Sequence, residues 1–254
     1  MSATKRFHPS HRGATPSIAE KMRARAKAVE ATGKKVIYLQ VGQPSTGAPE
    51  GAIDAIHQAS DTSILGYTSA AGIPELRQRI SKNYQDLYGA DVKPERIVIT
   101  FGASGALILA LVGCFDAGAR VALPQPVYYG YRHAMGTLGV ECVPFDTSME
   151  NHFQPTVEDV QKIEEEIDGL IFASPGNPTG SMMPAKQMGE LAAYCQQKEI
   201  RLISDEIYHG IVFDDVVPQQ TAAKYAETLI ETWVCRRGAM KVLLSDNASP
   251  LSGE

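Results

Sequence analysis

Cysteine is scarce in this 254-residue sequence and forms no recognisable pattern. The four cysteines are scattered, without a Cys-x-x-Cys pair, at Cys114, Cys142, Cys195 and Cys235. This spacing argues against a zinc ribbon and against a disulfide framework. We therefore predict buried structural thiols, no metal site and a reducing compartment, with the cytoplasm as the expected location.

A block of basic residues and a long apolar run are also absent. The 24 Lys and Arg residues are outnumbered by 29 Asp and Glu, for a formal charge of -5, so we predict no nucleic-acid partner. The longest nearly unbroken apolar stretch, Ala106–Phe115, is about half the ~20 residues of a membrane-spanning helix. Residues 1–12 are basic but lack the apolar run of a secretory signal. We expect no membrane association.

Short apolar segments alternate with amphipathic segments of helical length along most of the chain. The predicted extended segments are Val36–Val41, Arg96–Phe101, Arg120–Leu123, Val140–Pro144, Gly169–Ala173 and Arg201–Ser204. The predicted helices are Ser17–Thr32, Pro49–Ala59, Glu75–Tyr88, Ser104–Phe115, Tyr128–Leu138, Thr156–Glu166 and Pro184–Lys198. This alternation predicts an α/β fold, a mostly parallel sheet sandwiched by helices.

Polar and glycine-rich loops follow three of the predicted strands, at Gly102–Gly105, Ser174–Asn177 and Asp205–Tyr208. In open α/β sheets, ligands bind at the carboxyl ends of the strands. We therefore expect one composite pocket built from these loops.

The small-residue turn Gly102–Gly105 leads from a strand into a helix, a geometry that suits a phosphate group. A tight turn that binds nothing explains the segment equally well. It lacks the Gly-Lys-Ser/Thr ending of a P-loop. Ser104 almost fits a Gly-x-Ser-x-Gly nucleophile elbow, but Gly105 comes one place early. A serine hydrolase is therefore a minor alternative.

Asp205 closes an apolar strand, where a carboxylate is costly unless a cation or a hydrogen-bond donor meets it. A protonated heterocyclic nitrogen would supply such a cation. The simpler interpretation is that Asp205 caps the next turn. Asn177–Gly180 has the composition of a rigid turn. The aromatic run Pro126–Tyr131 could stack on a flat ring or cover an apolar edge.

Taken together and in order, these segments resemble the class I/II aminotransferases, the fold-type I enzymes that depend on pyridoxal phosphate. The resemblance is strongest to the aspartate- and aromatic-aminotransferase branch, and it runs from about Ser10 to about Phe213. The matching segments are Val41–Pro44, Gly66–Thr68, Ala71–Arg77, Gly102–Ser104, Pro126–Tyr131, Asn177–Gly180 and Ser204–Tyr208.

The resemblance implies a cofactor, pyridoxal 5'-phosphate, and a role for each matching residue. Gly102, Ala103 and Ser104 would hold the phosphate, and Tyr128 would stack on the pyridine ring. Asp205 would pair with the ring nitrogen and keep it protonated.

Four further residues complete the implied site. Asn177 and Tyr208 would hydrogen-bond the phenolic oxygen of the cofactor. Gly42 would line the amino-acid site, and Tyr67 would reach the phosphate of the neighbouring subunit in a homodimer. The implied reaction moves an amino group between an amino acid and a 2-oxo acid. Lyase or synthase chemistry on the same cofactor is also open.

The family pattern is lost after about Phe213, before the segment that carries the family's Schiff-base lysine. Lys224 and Lys241 are the only lysines beyond that point, and we assign neither to this role. We predict an N-terminal arm and small-domain segment at 1–45, a cofactor-binding large domain at 46–215 and a divergent tail at 216–254.

A chain truncated in this way has lost the later strands of its sheet. We expect part of the sheet to be unpaired and turnover by this chain alone to be badly impaired. The alternative to an enzyme is a noncatalytic fragment that binds the cofactor or dimerises with a complete subunit.

Overall fold

The computed structural model describes residues 18–39, 42, 47–211, 220–225, 229–234 and 240–245. The chain divides into two units, Met1–Tyr67 and Thr68–Glu254. The first unit contains helices α1 (Ile18–Glu30) and α2 (Glu50–Thr62). The extended segment predicted over Val36–Val41 forms no strand at residues 36–39, and residues 40 and 41 lie outside the described ranges.

The second unit is built around a seven-stranded sheet in the order β1-β6-β7-β5-β4-β2-β3. The strands are β1 (Ile97–Thr100), β2 (Arg120–Gln125), β3 (Glu141–Asp146), β4 (Gly169–Ala173), β5 (Arg201–Asp205), β6 (Leu229–Val234) and β7 (Met240–Ser245). Only β7 runs antiparallel to its neighbours, β5 and β6. The predicted α/β class and mostly parallel sheet are confirmed.

Helices cover both faces of this sheet. They are α3 (Pro74–Tyr88), α4 (Gly102–Cys114), α5 (Gly130–Leu138), α6 (Val157–Gln161) and α7 (Ala185–Gln197). Every residue of β4 is buried, and its side chains alternate between two core clusters. Ile171 packs with α4 and α5, whereas Leu170 and Phe172 pack with α7. A strand buried on both faces is typical of parallel sheets.

One apolar face of helix α3 is predicted from the i, i+4, i+8, i+11 spacing of Leu76, Ile80, Tyr84 and Leu87. Ile80 and Tyr84 are buried as the spacing predicts, against Ile97 of β1. Leu87 is 65% exposed, and Tyr88 packs on the cluster in its place. The helix ends where predicted, because Gly89 takes a left-handed conformation with φ 65°. No helix within the described ranges is long and apolar enough to cross a membrane.

The tail supplies two strands to the sheet, contrary to the expectation that the sheet is left unpaired. Strand β6 pairs in parallel with β1, and β7 fills the remaining position between β6 and β5. Both segments contain the branched and aliphatic residues that favour strands. The sheet is therefore continuous from β1 to β3.

Candidate functional site

Four parallel strands end at one edge of the sheet and carry the predicted site residues there. β1 ends at Thr100, β2 at Gln125, β4 at Ala173 and β5 at Asp205. Because these strands run in the same direction, their carboxyl ends share that edge. The loops that leave these four ends contain most of the residues named from the sequence.

Asp205 is the last residue of β5 and is 3% exposed. Its Oδ2 accepts a hydrogen bond from the Tyr131 hydroxyl at 2.6 Å, and its Oδ1 accepts one from the backbone N–H of Ile207 at 3.1 Å. Burial raises the pKa of Asp205 to about 6, against the effect of both hydrogen bonds. Across the described part of the chain, no Lys, Arg or His forms an ion pair with it.

Two tyrosines lie beside this carboxylate. Tyr131 of α5 is buried, and its ring meets the Tyr128 ring edge-on, with the centroids 5.5 Å apart. Burial and then the neighbouring phenols and Asp205 raise the pKa of Tyr128. Gly130 permits this arrangement, because a Cβ at that position would overlap the Tyr128 ring. The Tyr128 ring is half-buried and lies within electrostatic reach of both Tyr208 and Asp205.

Asn177 and Tyr208 are joined by a hydrogen bond. The Asn177 Nδ2 donates to the Tyr208 hydroxyl oxygen at 3.2 Å. Asn177 lies in the loop between β4 and α7, and Tyr208 follows the end of β5. The turn predicted at Asn177 is present, with Gly180 at a positive φ of 68°. An amide N–H and a phenolic O–H are therefore side by side, where one ligand oxygen could accept from both.

The predicted phosphate turn forms the start of α4. The helix begins at Gly102, which has a φ of 72°, and the preceding Phe101 provides no side-chain cap. First-turn N–H groups therefore lack a side-chain acceptor at the N-cap position. Ser104 is exposed. Ala103 and Tyr128 pack against the same core cluster, so the same buried residues hold both the turn and the Tyr128 ring.

Two predicted site residues lie outside the second unit. Gly42 and Tyr67 belong to the first unit, and both are exposed there. Lys224 is exposed at the end of a 3-10 turn, Ala222–Lys224. The backbone at Lys241 is part of β7.

Sequence reasoning missed three buried polar side chains near the strand ends. Tyr131 was named only within an aromatic run, although it is the residue that bonds Asp205. Glu206 is fully buried and accepts hydrogen bonds from the backbone N–H of Ala222 at 2.8 Å and from the Ser204 hydroxyl at 3.2 Å. Gln154 is also buried, and nothing in its local sequence marks it. The only signal for Glu206 was an acidic pair after an apolar strand.

Comparisons with known proteins all identify aminotransferases. The family model for aminotransferase class I and II matches residues 34–235. This match extends beyond Phe213, after which the resemblance to the family is predicted to end. Valine–pyruvate aminotransferase of Mycobacterium tuberculosis is 43% identical over 188 residues, which are 74% of this chain and 48% of that protein.

Solved structures agree with the sequence matches. An aminotransferase from Mycobacterium tuberculosis superposes with a TM-score of 0.84 at 34% identity, covering 95% of this chain and 64% of that one. Aspartate aminotransferase from Thermus thermophilus with maleate gives a TM-score of 0.84 at 25% identity, with 95% and 65% covered. The chain spans about half the length of the curated relatives it matches.

Proposed function

The chain belongs to the class I and II aminotransferase family, and on that premise we propose that its second unit is the cofactor-binding core of a pyridoxal-phosphate-dependent aminotransferase. The reaction would transfer an amino group between an amino acid and a 2-oxo acid. The observation that carries the proposal is the Asp205 carboxylate, buried at a strand end with two hydrogen-bond donors and no basic partner among the described residues.

The environment of Asp205 fits the ring nitrogen of the cofactor. A buried carboxylate is costly without a cation, and burial raises its pKa to about 6. A pyridinium N–H placed against it would favour the charged carboxylate, and the carboxylate would in turn hold the proton on the nitrogen. When bound, pyridoxal phosphate supplies an electron-accepting ring that stabilises charge left on the substrate carbon.

Three side chains would hold the rest of the ring. Tyr128, which is half-buried and packs edge-on against Tyr131, would stack on the ring. Asn177 and Tyr208, already hydrogen-bonded to each other, would donate to the phenolic oxygen and hold it as an anion. These contacts would orient the ring, and the flanking core cluster would help to exclude water from it.

The start of α4 would hold the phosphate. The N–H groups of Gly102 and Ala103 lie at the positive end of the helix dipole, which favours an anion such as phosphate. The N-cap residue provides no side-chain acceptor for them, and the Ser104 hydroxyl adds a donor. This end of the site depends chiefly on backbone geometry.

The family supports further assignments for the complete protein. We propose that Gly42 lines the amino-acid site and that Tyr67 reaches the phosphate bound by a second subunit of a homodimer. We propose a cytoplasmic location from the scattered cysteine pattern. Valine and pyruvate are the first substrates to test, because they are named in the relative that is 43% identical.

A noncatalytic role is the second candidate, and the sequence context of the two late lysines favours it. The chain spans about half of its curated relatives, and neither Lys224 nor Lys241 lies in the sequence context of the lysine that bonds covalently to the cofactor. A chain with the strand-end site but without that lysine would bind the cofactor noncovalently and could pair with a complete subunit.

Both candidate functions require that the chain binds pyridoxal phosphate, and equilibrium dialysis of the purified chain with this cofactor tests that requirement. Borohydride reduction followed by intact-mass measurement then separates a covalently attached cofactor from one held noncovalently. Covalent attachment with amino transfer from valine to pyruvate supports the enzyme, whereas saturable binding without either supports the fragment. Absence of saturable binding would contradict both.

A further inference from the structure

The buried side chain of Gln154 forms hydrogen bonds with two distant points of the loop that carries Asn177. Its Nε2 donates to the carbonyl of Ala173, the last residue of β4, at 3.1 Å and to the carbonyl of Ser181 at 2.8 Å. These two carbonyls lie at the beginning of the loop and near its end. We propose that Gln154 is a positioning residue that holds Asn177 against Tyr208.

The loop passes directly against the Gln154 amide. The backbone N–H of Gly176 donates to the Ser181 carbonyl at 2.8 Å, and that of Gly180 donates to the Gly176 carbonyl at 2.8 Å. A Cβ at Gly176 would lie 3.2 Å from Gln154 Nε2 and closer still to Thr179 Oγ1. A glycine at this position therefore permits the contact between the loop and Gln154.

The backbone at Gln154 is itself held from two sides. His152 and Phe153, directly before it, both have left-handed backbone conformations, with φ 51° and 59°. Non-glycine residues keep such conformations only where their surroundings impose them. On the other side, Gln187 of α7 donates from Nε2 to the carbonyls of Gln154 at 3.2 Å and Pro155 at 2.9 Å. The backbone from which the Gln154 side chain extends is therefore held in place.

Packing alone does not explain a glutamine here. Gln154 is 1% exposed, and none of the described residues donates a hydrogen bond to its Oε1. A buried acceptor without a partner opposes folding, so the oxygen of this amide adds nothing to the stability of the site. What the glutamine adds is the pair of N–H bonds to the loop.

This inference rests on the proposed function for its effect on the cofactor, but its effect on the loop is independent of any ligand. The test compares the full chain with Gln154→Met, which keeps the length of the side chain and removes its donors. The control is Gln85→Met, an exposed position on α3. Hydrogen exchange measured by mass spectrometry reports the peptide at 174–183, and the peptide at 120–125 reports the stability of the sheet.

We expect Gln154→Met to raise exchange at 174–183 about fivefold, the equivalent of one hydrogen bond, with exchange at 120–125 unchanged. The dissociation constant for pyridoxal phosphate should rise by about the same factor. Unchanged loop exchange, or an equal rise in every peptide, would overturn the proposal. If the wild-type chain binds no cofactor, the proposed function fails while loop exchange still decides the role of Gln154.

Gly176→Ala tests the same contact from the loop side. Its Cβ would push the loop away from the Gln154 amide. We expect faster exchange at 174–183 in this variant too, and it decides the question if Gln154→Met does not fold. Exchange equal to wild type in a folded Gly176→Ala chain would contradict the proposal.

Discussion

The two ends of the proposed cofactor site are built differently. The ring end consists of side chains that are partly or fully buried and bond one another, namely Asp205, Tyr128, Tyr131, Asn177 and Tyr208. The phosphate end is the start of α4, where Ser104 is exposed and no side chain caps the helix. The ring end is preorganised by side chains, whereas the phosphate end presents mainly backbone.

This difference has a consequence for substitutions. A change at the ring end removes a charge or a donor that the buried site cannot replace with water. A change of side chain at the phosphate end leaves the backbone N–H groups and the helix dipole in place. Sensitivity to substitution should therefore fall from Asp205 to Ser104.

The largest effect is expected from Asp205→Ala at the ring end. Loss of the buried partner of a pyridinium nitrogen should weaken cofactor binding about 100-fold or more. Equilibrium dialysis with pyridoxal phosphate measures this change. Asp91→Ala, which removes an exposed partner of Lys93, is the matched control and should leave binding unchanged. A loss under about threefold at Asp205 would break the comparison between the two ends.

The charge on Asp205 should also set a pH dependence of folding. Its pKa is raised from 3.8 to about 6 in the folded chain, so the folded state holds this proton more tightly than the unfolded state. The free energy of unfolding should therefore fall by about 1–3 kcal/mol as the pH rises from about 4 to about 6.

Asp205→Asn should remove this part of the pH dependence, because the side chain no longer titrates. Urea unfolding of the cofactor-free chain at several pH values measures it. Identical slopes for wild type and variant between pH 4 and 6 would show that Asp205 does not titrate there.

A smaller effect is expected from Tyr131→Phe, which removes the hydroxyl donor at 2.6 Å from the Asp205 carboxylate. That hydrogen bond favours the charged form, so its loss should raise the pKa of Asp205 further. Carbon-13 NMR of the labelled carboxyl group follows the titration. Tyr129→Phe, at a half-exposed neighbouring position, provides the control and should leave the titration in place.

The smallest effect is expected from Ser104→Ala at the phosphate end. Only one exposed hydroxyl is lost, so the dissociation constant for pyridoxal phosphate should rise about threefold. Competition by inorganic phosphate should persist in the variant, because the backbone donors remain. A loss as large as that of Asp205→Ala would mean that the phosphate end, too, depends on a side chain.

Local pattern predicted the framework well. The bounds of β4, Gly169–Ala173, agree with the prediction at both ends, because Asp168 and Ser174 flank an unbroken apolar run. The strand-end loops could also be placed from glycine and proline. Local pattern could not predict contacts between residues that are distant in sequence, such as Tyr131 and Asp205, which are 74 positions apart.

The same limit explains Gln154 and the tail. Gln154 acts on carbonyls 19 and 27 positions later in the chain, and its local sequence is that of an ordinary loop. Strands β6 and β7 find their partners in β1 and β5, far earlier in the chain. A segment whose likeness to the family was not recognised from local motifs can still complete a sheet, because strand pairing requires few specific side chains.

The protonation state of the bound ring nitrogen tests the central claim most directly. Nitrogen-15 NMR of ring-labelled pyridoxal phosphate, bound to the full chain at pH 8, reports it. We expect a protonated nitrogen in the wild-type chain and a deprotonated one in Asp205→Asn. A nitrogen that is deprotonated in both proteins, or protonated equally in both, would contradict the pairing of Asp205 with the cofactor.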